Sequence, residues 1–267
     1  MIRKRIITAL WGIPLVIAAV WFDEPISWFT VLAAIWGLLA VLEFYRMVGV
    51  SKVLPLTVFG LAGTALFILY PHCEFKLVLP FLLTVTLSLS LIMLVFIRQK
   101  DGVFSNWAWI MGGILYVGWL LSLLVTLRIE AGREWVFLAL FTTFGSDTAA
   151  YFIGKAFGRH KLAPGISPGK TWEGAIAGVF GGVIISLLFI LSTPLQLPLG
   201  YGQAVLLGVL ISVFGQLGDL AESLLKRNAG VKDSGGLMPG HGGLLDRMDS
   251  VVLAGVVVYL YYIFVVL

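Results

Sequence analysis

Cysteine is almost absent from this chain: among 267 residues Cys73 stands alone. One cysteine forms no intrachain disulfide and builds no cysteine-based metal cluster. Charge is scarce too. Asp, Glu, Lys and Arg make up 12% of the residues and there are three histidines, against 60% hydrophobic. A soluble domain carries about a quarter charged residues, and no soluble core of this size hides so much apolar surface. Internal repeats, low-complexity tracts and a segment of soluble-domain composition are lacking as well. What fills the chain instead is hydrophobicity, with a mean hydropathy of +1.02. The bilayer is its natural solvent, and continuous hydrophobicity predicts one membrane body over 1–267.

The N-terminal Met1-Ile2-Arg3-Lys4-Arg5 before an apolar run has the outline of a signal peptide. No small-x-small cleavage site precedes Asp23, and the rest is equally apolar, so a retained span is expected. A spanning helix needs about 20 mostly apolar residues. Runs of that kind predict an all-α membrane protein of about nine helices, near 5–22, 26–46, 53–71, 77–97, 104–127, 135–153, 172–192, 202–224 and 248–266. Gly112-Gly113 splits the fifth, marking a kink or a tight helix contact. With a cytoplasmic N-terminus, all of the 18 basic residues except Lys76, Arg128 and Arg133 fall inside. The positive-inside rule predicts that bias, and it puts the C-terminus outside. The pI near 9.2 therefore reports topology and calls for no nucleic-acid partner.

Ionisable side chains at membrane depth are costly and mark function. Asp147 lies within the sixth span, Asp219 and Glu222 near the end of the eighth, Asp246 and Asp249 at the start of the ninth, and Glu43 near the end of the second. Asp219, Glu222, Ser223 and Lys226 fall at i, i+3, i+4 and i+7, one helix face. Asp246 and Asp249 share a face as well. Carboxylates brought together repel unless a cation intervenes, and with few histidines the oxygen ligands suit a hard ion such as Mg²⁺. Lys226, Arg227 and Lys232 surround the first acidic face, and Arg247 sits between Asp246 and Asp249. Such side chains meet phosphate by fork or by point charge.

Two cytoplasmic loops are richer than the others, near 154–170 and 226–247. The second carries Asp233-Ser234-Gly235-Gly236-Leu237-Met238-Pro239-Gly240-His241-Gly242-Gly243, whose glycines let backbone N–H groups approach a ligand. The first ends Gly165-Ile166-Ser167-Pro168-Gly169-Lys170-Thr171. Its GKT is not a phosphate-binding P-loop, because position 164 is proline and no strand is expected before it. A phosphate contact from Lys170 near the next helix start stays in play.

The stretch Ser223-Leu224-Leu225-Lys226-Arg227, then Lys232-Asp233, then His241-Gly242-Gly243-Leu244-Leu245-Asp246-Arg247-Met248-Asp249 resembles the signature of phosphatidate cytidylyltransferases, also called CDP-diacylglycerol synthases. Met238 departs mildly, standing where that pattern more often has Leu, Ile or Phe. Asp147-Thr148-Ala149-Ala150-Tyr151, Ser167-Pro168-Gly169-Lys170-Thr171-Trp172-Glu173-Gly174 and Gln216-Leu217-Gly218-Asp219 extend the likeness upstream. It covers roughly the last 125 residues. Residues 1–134 resemble the family only as hydrophobic spans and are expected to be mainly scaffold, with 135–267 carrying catalysis.

The resemblance implies that CTP and phosphatidate in the bilayer give CDP-diacylglycerol and pyrophosphate, with Mg²⁺ required, in a homodimer of the cytoplasmic membrane whose site faces the cytoplasm. On that reading Asp219 and Asp246 lead the metal ligands, for one or two divalent ions with a monovalent cation compatible, and Asp249 and Asp147 follow. Asp219, Asp246, Lys226 and Arg227 form the catalytic set. Lys170, Lys232 and Arg247 meet phosphates, and Ser223 and His241 hydrogen-bond substrate or orient the site. The nearest alternative is a CTP-dependent polyprenol- or phytol-type lipid kinase. From another class comes a cation-coupled transporter, disfavoured because the acids cluster toward one face and do not recur in the first half.

Overall fold

The structure, a computed structural model, describes residues 2–22, 26–97, 102–237 and 242–267, with backbone alone for 2–9. It is built almost wholly of helix: α1 (Ile2–Trp21), α2 (Trp28–Met47), α3 (Leu54–Leu69), α4 (Val78–Phe96), α5 (Val103–Gly113), α6 (Leu120–Glu130), α7 (Arg133–Phe157), α8 (Trp172–Leu188), α9 (Tyr201–Asn228) and α10 (Asp249–Tyr261). A π-helical segment, Ile114–Trp119, makes α5 and α6 one rod, and another, Tyr262–Val266, extends α10.

Among the described residues seven helices are long and apolar enough to cross a membrane: Trp28–Met47, Leu54–His72, Val78–Phe96, Val103–Glu130, Arg133–Phe157, Tyr201–Asn228 and Asp249–Val266. Shorter apolar stretches, Leu10–Trp21 and Trp172–Leu188, occupy the first and seventh of the expected nine positions. The protein is thus an all-α, multi-pass membrane protein with one departure. Within the 154–170 loop, β1 (Lys161–Ala163) pairs antiparallel with β2 (Ser167–Thr171). Pro164 and Gly165 supply the turn residues between them.

Contacts divide the chain into two units. One comprises Met1–Val125 with Asp233–Leu245, the other Thr126–Lys232 with Asp246–Leu267. In the first, Tyr45 is fully buried and its hydroxyl donates to the Ile110 carbonyl at 3.0 Å. Gly60 and Gly113 let α3 and α5 close on the Tyr45 ring, since a Cβ at either position collides with it. Gly113 is therefore the tight contact expected of the glycine pair, whereas Gly112 faces open space.

The second unit packs α7, α8, α9 and α10 through small residues. In lipid there is no hydrophobic drive between helices, so close van der Waals approach of backbones must hold them. Gly174, Gly178 and Gly182 recur every fourth position along α8 and are buried. A Cβ at Gly174 would lie 2.7 Å from the Ala150 carbonyl of α7, and one at Gly178 3.1 Å from that of Ser146. On the α9 side, a Cβ at Gly208 would lie 2.6 Å from Val183 Cα. Gly218 gives the same access to α10, where a Cβ would strike the Asp249 carbonyl. Gly208→Ala is expected to lower stability by about 1–3 kcal/mol, the cost of overpacking. Gly112→Ala should be neutral or stabilising by up to about 1 kcal/mol. Thermal unfolding of both variants in detergent micelles checks the contrast.

Candidate active site

Five of the acids gather in the second unit, on the middle of α7, the C-terminal part of α9 and the start of α10 with the turn before it. The 28 residues of α9 extend about 42 Å at 1.5 Å each, beyond a hydrocarbon core of about 30 Å. Its polar last ten residues, beginning at Asp219, therefore suit the membrane boundary.

On α9 the i, i+3, i+4, i+7 spacing produces the face it predicts. The Ser223 hydroxyl donates to Asp219 Oδ1 at 3.3 Å, and Lys226 Nζ donates to Glu222 Oε2 at 2.9 Å. Lys226 also donates to Asp246 Oδ1 at 2.6 Å, which ties α9 to the short turn before α10. Glu222 is fully buried, the Asp246 side chain is 9% exposed and that of Lys226 11%. Lys170 reaches from β2 to Asp219 Oδ2 at 2.8 Å and to the Gln216 carbonyl at 3.4 Å. Two lysines from different elements thus hold three carboxylates.

Two more acids complete the cluster. Asp249 is buried in the first turn of α10, where its Oδ1 accepts the Ser250 N–H at 2.7 Å. It lies within electrostatic reach of Asp219 and Lys226. Asp147, on α7, feels Asp249, Asp219 and Lys170 and is hydrogen-bonded by Ser250. Glu222 Oε1 has no hydrogen-bond partner among the described residues. Five carboxylates linked neighbour to neighbour, with two lysines among them, leave negative charge that an added cation would relieve.

That donor set fits Mg²⁺ in kind, because it is all oxygen and carboxylate-rich. Among the described residues no three His, Cys, Asp or Glu side chains form a ready metal cage. Lys170 and Lys226 each pair with one oxygen of Asp219 and Asp246, respectively. Mg²⁺ is commonly held by one or two carboxylates, with water and substrate phosphates completing the shell, so a three-residue cage is not required.

The remaining expected site residues divide. Arg227 is exposed, and it donates to the Ile166 carbonyl at 3.1 Å and the Val231 carbonyl at 3.3 Å. It therefore anchors the β1–β2 hairpin to the end of α9. Lys232 and Arg247 are exposed, and His241 lies outside the described residues. The Thr171 hydroxyl caps α8 by accepting the Gly174 N–H at 3.2 Å. Glu173 accepts the N–H groups of Arg159 and His160 at 3.1 and 3.2 Å and pairs with His160 Nδ1 at 2.6 Å, closing the hairpin's base. The central place of Glu222 is only half legible in the sequence. Its spacing put it on the acidic face, but nothing marked it as the shared partner of the lysine that holds Asp246.

Set against known proteins, the chain matches the cytidylyltransferase family over residues 3–265. A phosphatidate cytidylyltransferase of Bacillus subtilis is 34% identical over 240 residues, 88% of each chain. One of Brucella suis is 42% identical over 163 residues, 59% of this chain and 58% of that protein. YnbB of Escherichia coli, an uncharacterised protein, is 42% identical over 168 residues, 63% of this chain and 55% of that protein. The match thus spans little more than half the length of the Brucella and Escherichia relatives. Fold and site define a multi-pass helical membrane protein with a carboxylate–lysine centre. The chain belongs to the cytidylyltransferase family.

The two lysines differ in what their loss should do. Lys226→Met strands buried Glu222 and Asp246, and breaking a buried pair costs about 3–5 kcal/mol. Lys170→Met breaks a half-exposed pair, for which about 1 kcal/mol is the upper expectation. Thermal melts of the two variants should separate clearly, with Lys226→Met far the less stable.

Proposed function

We infer that the protein is a phosphatidate cytidylyltransferase, converting CTP and phosphatidate to CDP-diacylglycerol and pyrophosphate in phospholipid biosynthesis. The observation that carries this reading is the family match over 3–265 on a chain whose site is a carboxylate–lysine cluster. Both substrates are polyanions, so uniting them needs positive charge at one place. In the reaction a phosphatidate phosphate oxygen attacks the α-phosphorus of CTP. A P–O bond forms there as the bond to the β-phosphate oxygen breaks, and pyrophosphate leaves with that electron pair. The attacking phosphate is already ionised near neutral pH, so no strong general base is needed. Positioning and charge neutralisation do most of the work, as in phosphoryl transfers generally.

Asp219 and Asp246 would hold Mg²⁺, with Asp249 and Asp147 beside them, as one or two ions with a monovalent cation compatible. The metal's contribution is neutralisation and alignment of phosphate oxygens. Lys170 and Lys226, paired with those aspartates, would supply the positive charge for substrate phosphates. Arg227, Lys232 and Arg247 add cationic reach at the rim. Ser223 orients Asp219, and His241 from the glycine-rich loop hydrogen-bonds substrate. The lipid tails stay in the bilayer while CTP arrives from the water side.

The charge distribution supports nine spans with the N-terminus and the site on the cytoplasmic side and the C-terminus outside, since basic residues crowd the loops that carry the site. Residence in the cytoplasmic membrane as a homodimer rests on the resemblance of the signature residues. Asp219→Asn and Asp246→Asn are each expected to reduce CDP-diacylglycerol formation to background in purified, folded protein, and removal of Mg²⁺ by EDTA should do the same reversibly. Near-normal turnover in both variants would overturn the ligand assignment.

A further inference from the structure

Glu43 stands apart from the acidic cluster, yet it is one of the most buried charged side chains in the protein, 3% exposed near the C-terminal end of α2. Its Oε2 accepts the backbone N–H of Leu244 at 2.6 Å, that of Leu245 at 3.1 Å and the Ser234 hydroxyl at 3.3 Å. Ser234, Leu244 and Leu245 are themselves buried. The partners lie about 200 positions away in sequence, at the two ends of the glycine-rich segment, and all belong to the same unit as Glu43.

The glycines of that segment take their meaning from this carboxylate. A Cβ at Gly235 would run into Glu43 Oε1, and one at Gly243 would run into the Ser234 hydroxyl and come within 2.5 Å of Glu43 Oε2. By contrast Gly236, between them, faces open space. Gly235 and Gly243 are therefore small because the backbone at both positions packs against the carboxylate. Gly242 has φ +82, a left-handed conformation that turns the chain into the clasp. A buried charge is costly and is not retained for packing alone. Here it gathers two consecutive peptide N–H groups on one oxygen, a charge-assisted arrangement stronger than neutral hydrogen bonds.

The next residue in the chain after Leu245 is Asp246, and Leu245–Arg247 is a short 3-10 turn. We propose that Glu43 is a positioning residue for the reaction. It pins the loop's exit at Leu244 and Leu245, and so fixes the backbone from which Asp246 is offered to the metal and to Lys226. Glu43 touches neither substrate nor metal in this role. The proposal rests on the cytidylyltransferase reading through Asp246 alone, and it gives the first half of the chain a part in catalysis beyond scaffolding.

The test uses the full-length protein in lipid nanodiscs, comparing wild type, Glu43→Gln and Glu43→Ala. Hydrogen exchange is read on peptides containing Leu244 and Leu245, together with turnover, KM for CTP and the Mg²⁺ concentration giving half-maximal rate. Losing the charge-assisted acceptor should speed exchange at those amides roughly tenfold or more while exchange in α7 and α9 stays as in wild type. The Mg²⁺ requirement should rise and turnover fall, each by about tenfold, with KM for CTP little changed. Glu43→Gln, which keeps one carbonyl acceptor, should fall between wild type and Glu43→Ala. Wild-type exchange and wild-type Mg²⁺ dependence in Glu43→Ala overturn the proposal. So does a loss of activity that tracks a general rise of exchange through all helices, which would make Glu43 merely structural. A wild-type protein that makes no CDP-diacylglycerol overturns the functional reading instead, and exchange at Leu244 and Leu245 still decides whether Glu43 holds the loop.

Discussion

Lys226 lies between Glu222 and Asp246 at 2.9 and 2.6 Å, in surroundings that exclude most water. Much of the second unit can be understood from that contact. Three charged groups are tolerable there because they compensate each other, and removing one exposes the others to the full cost of burial. The pairing makes α9 and the turn before α10 one piece. Lys170 pairs with Asp219 and is felt by Asp147, while Asp249 feels Lys226. Carboxylates outnumber these lysines, an excess of negative charge that a divalent ion would offset. The glycine contacts of α8, α9 and α10 serve the same end, because Gly218 lets the Asp249 backbone approach α9 closely enough for the two acidic faces to meet.

The helical class and the order of spans were legible because they depend on composition and run length. Seven runs became helices long enough to cross. At the first position α1 runs from Ile2 to Trp21, and at the seventh α8 is a shorter apolar helix of 17 residues. The β1–β2 hairpin was not legible. Its residues, Lys161–Ala163 and Ser167–Thr171, have no alternating pattern, and the pairing is stabilised by contacts made elsewhere, notably Lys170 with Asp219 and Arg227 with Ile166.

The site shows a similar division. Spacing on one helix was readable, so the Asp219–Ser223 and Glu222–Lys226 pairs fall where i, i+4 geometry puts them. Partnerships across the sequence were not. Lys226 and Lys170 were expected to hold phosphates, and nothing local showed that Lys226 also reaches Asp246 or that Lys170 reaches Asp219. Glu43 is the clearest case. As an isolated acid in an apolar helix it called for explanation, but its partners Ser234, Leu244 and Leu245 are brought to it only by the fold. The glycine run suggests backbone open to a ligand, whereas Gly235 and Gly243 are packed on that carboxylate.

On this reading the centre transfers a cytidylyl group to a lipid phosphate. The most direct measurement follows the phosphorus atoms of CTP through one reaction of the purified protein with phosphatidate and Mg²⁺. With label at the α-phosphate the lipid product should become labelled, and with label at the γ-phosphate the label should leave as pyrophosphate. Label from the γ-phosphate in the lipid, with CDP released, would mark a lipid kinase and contradict the account.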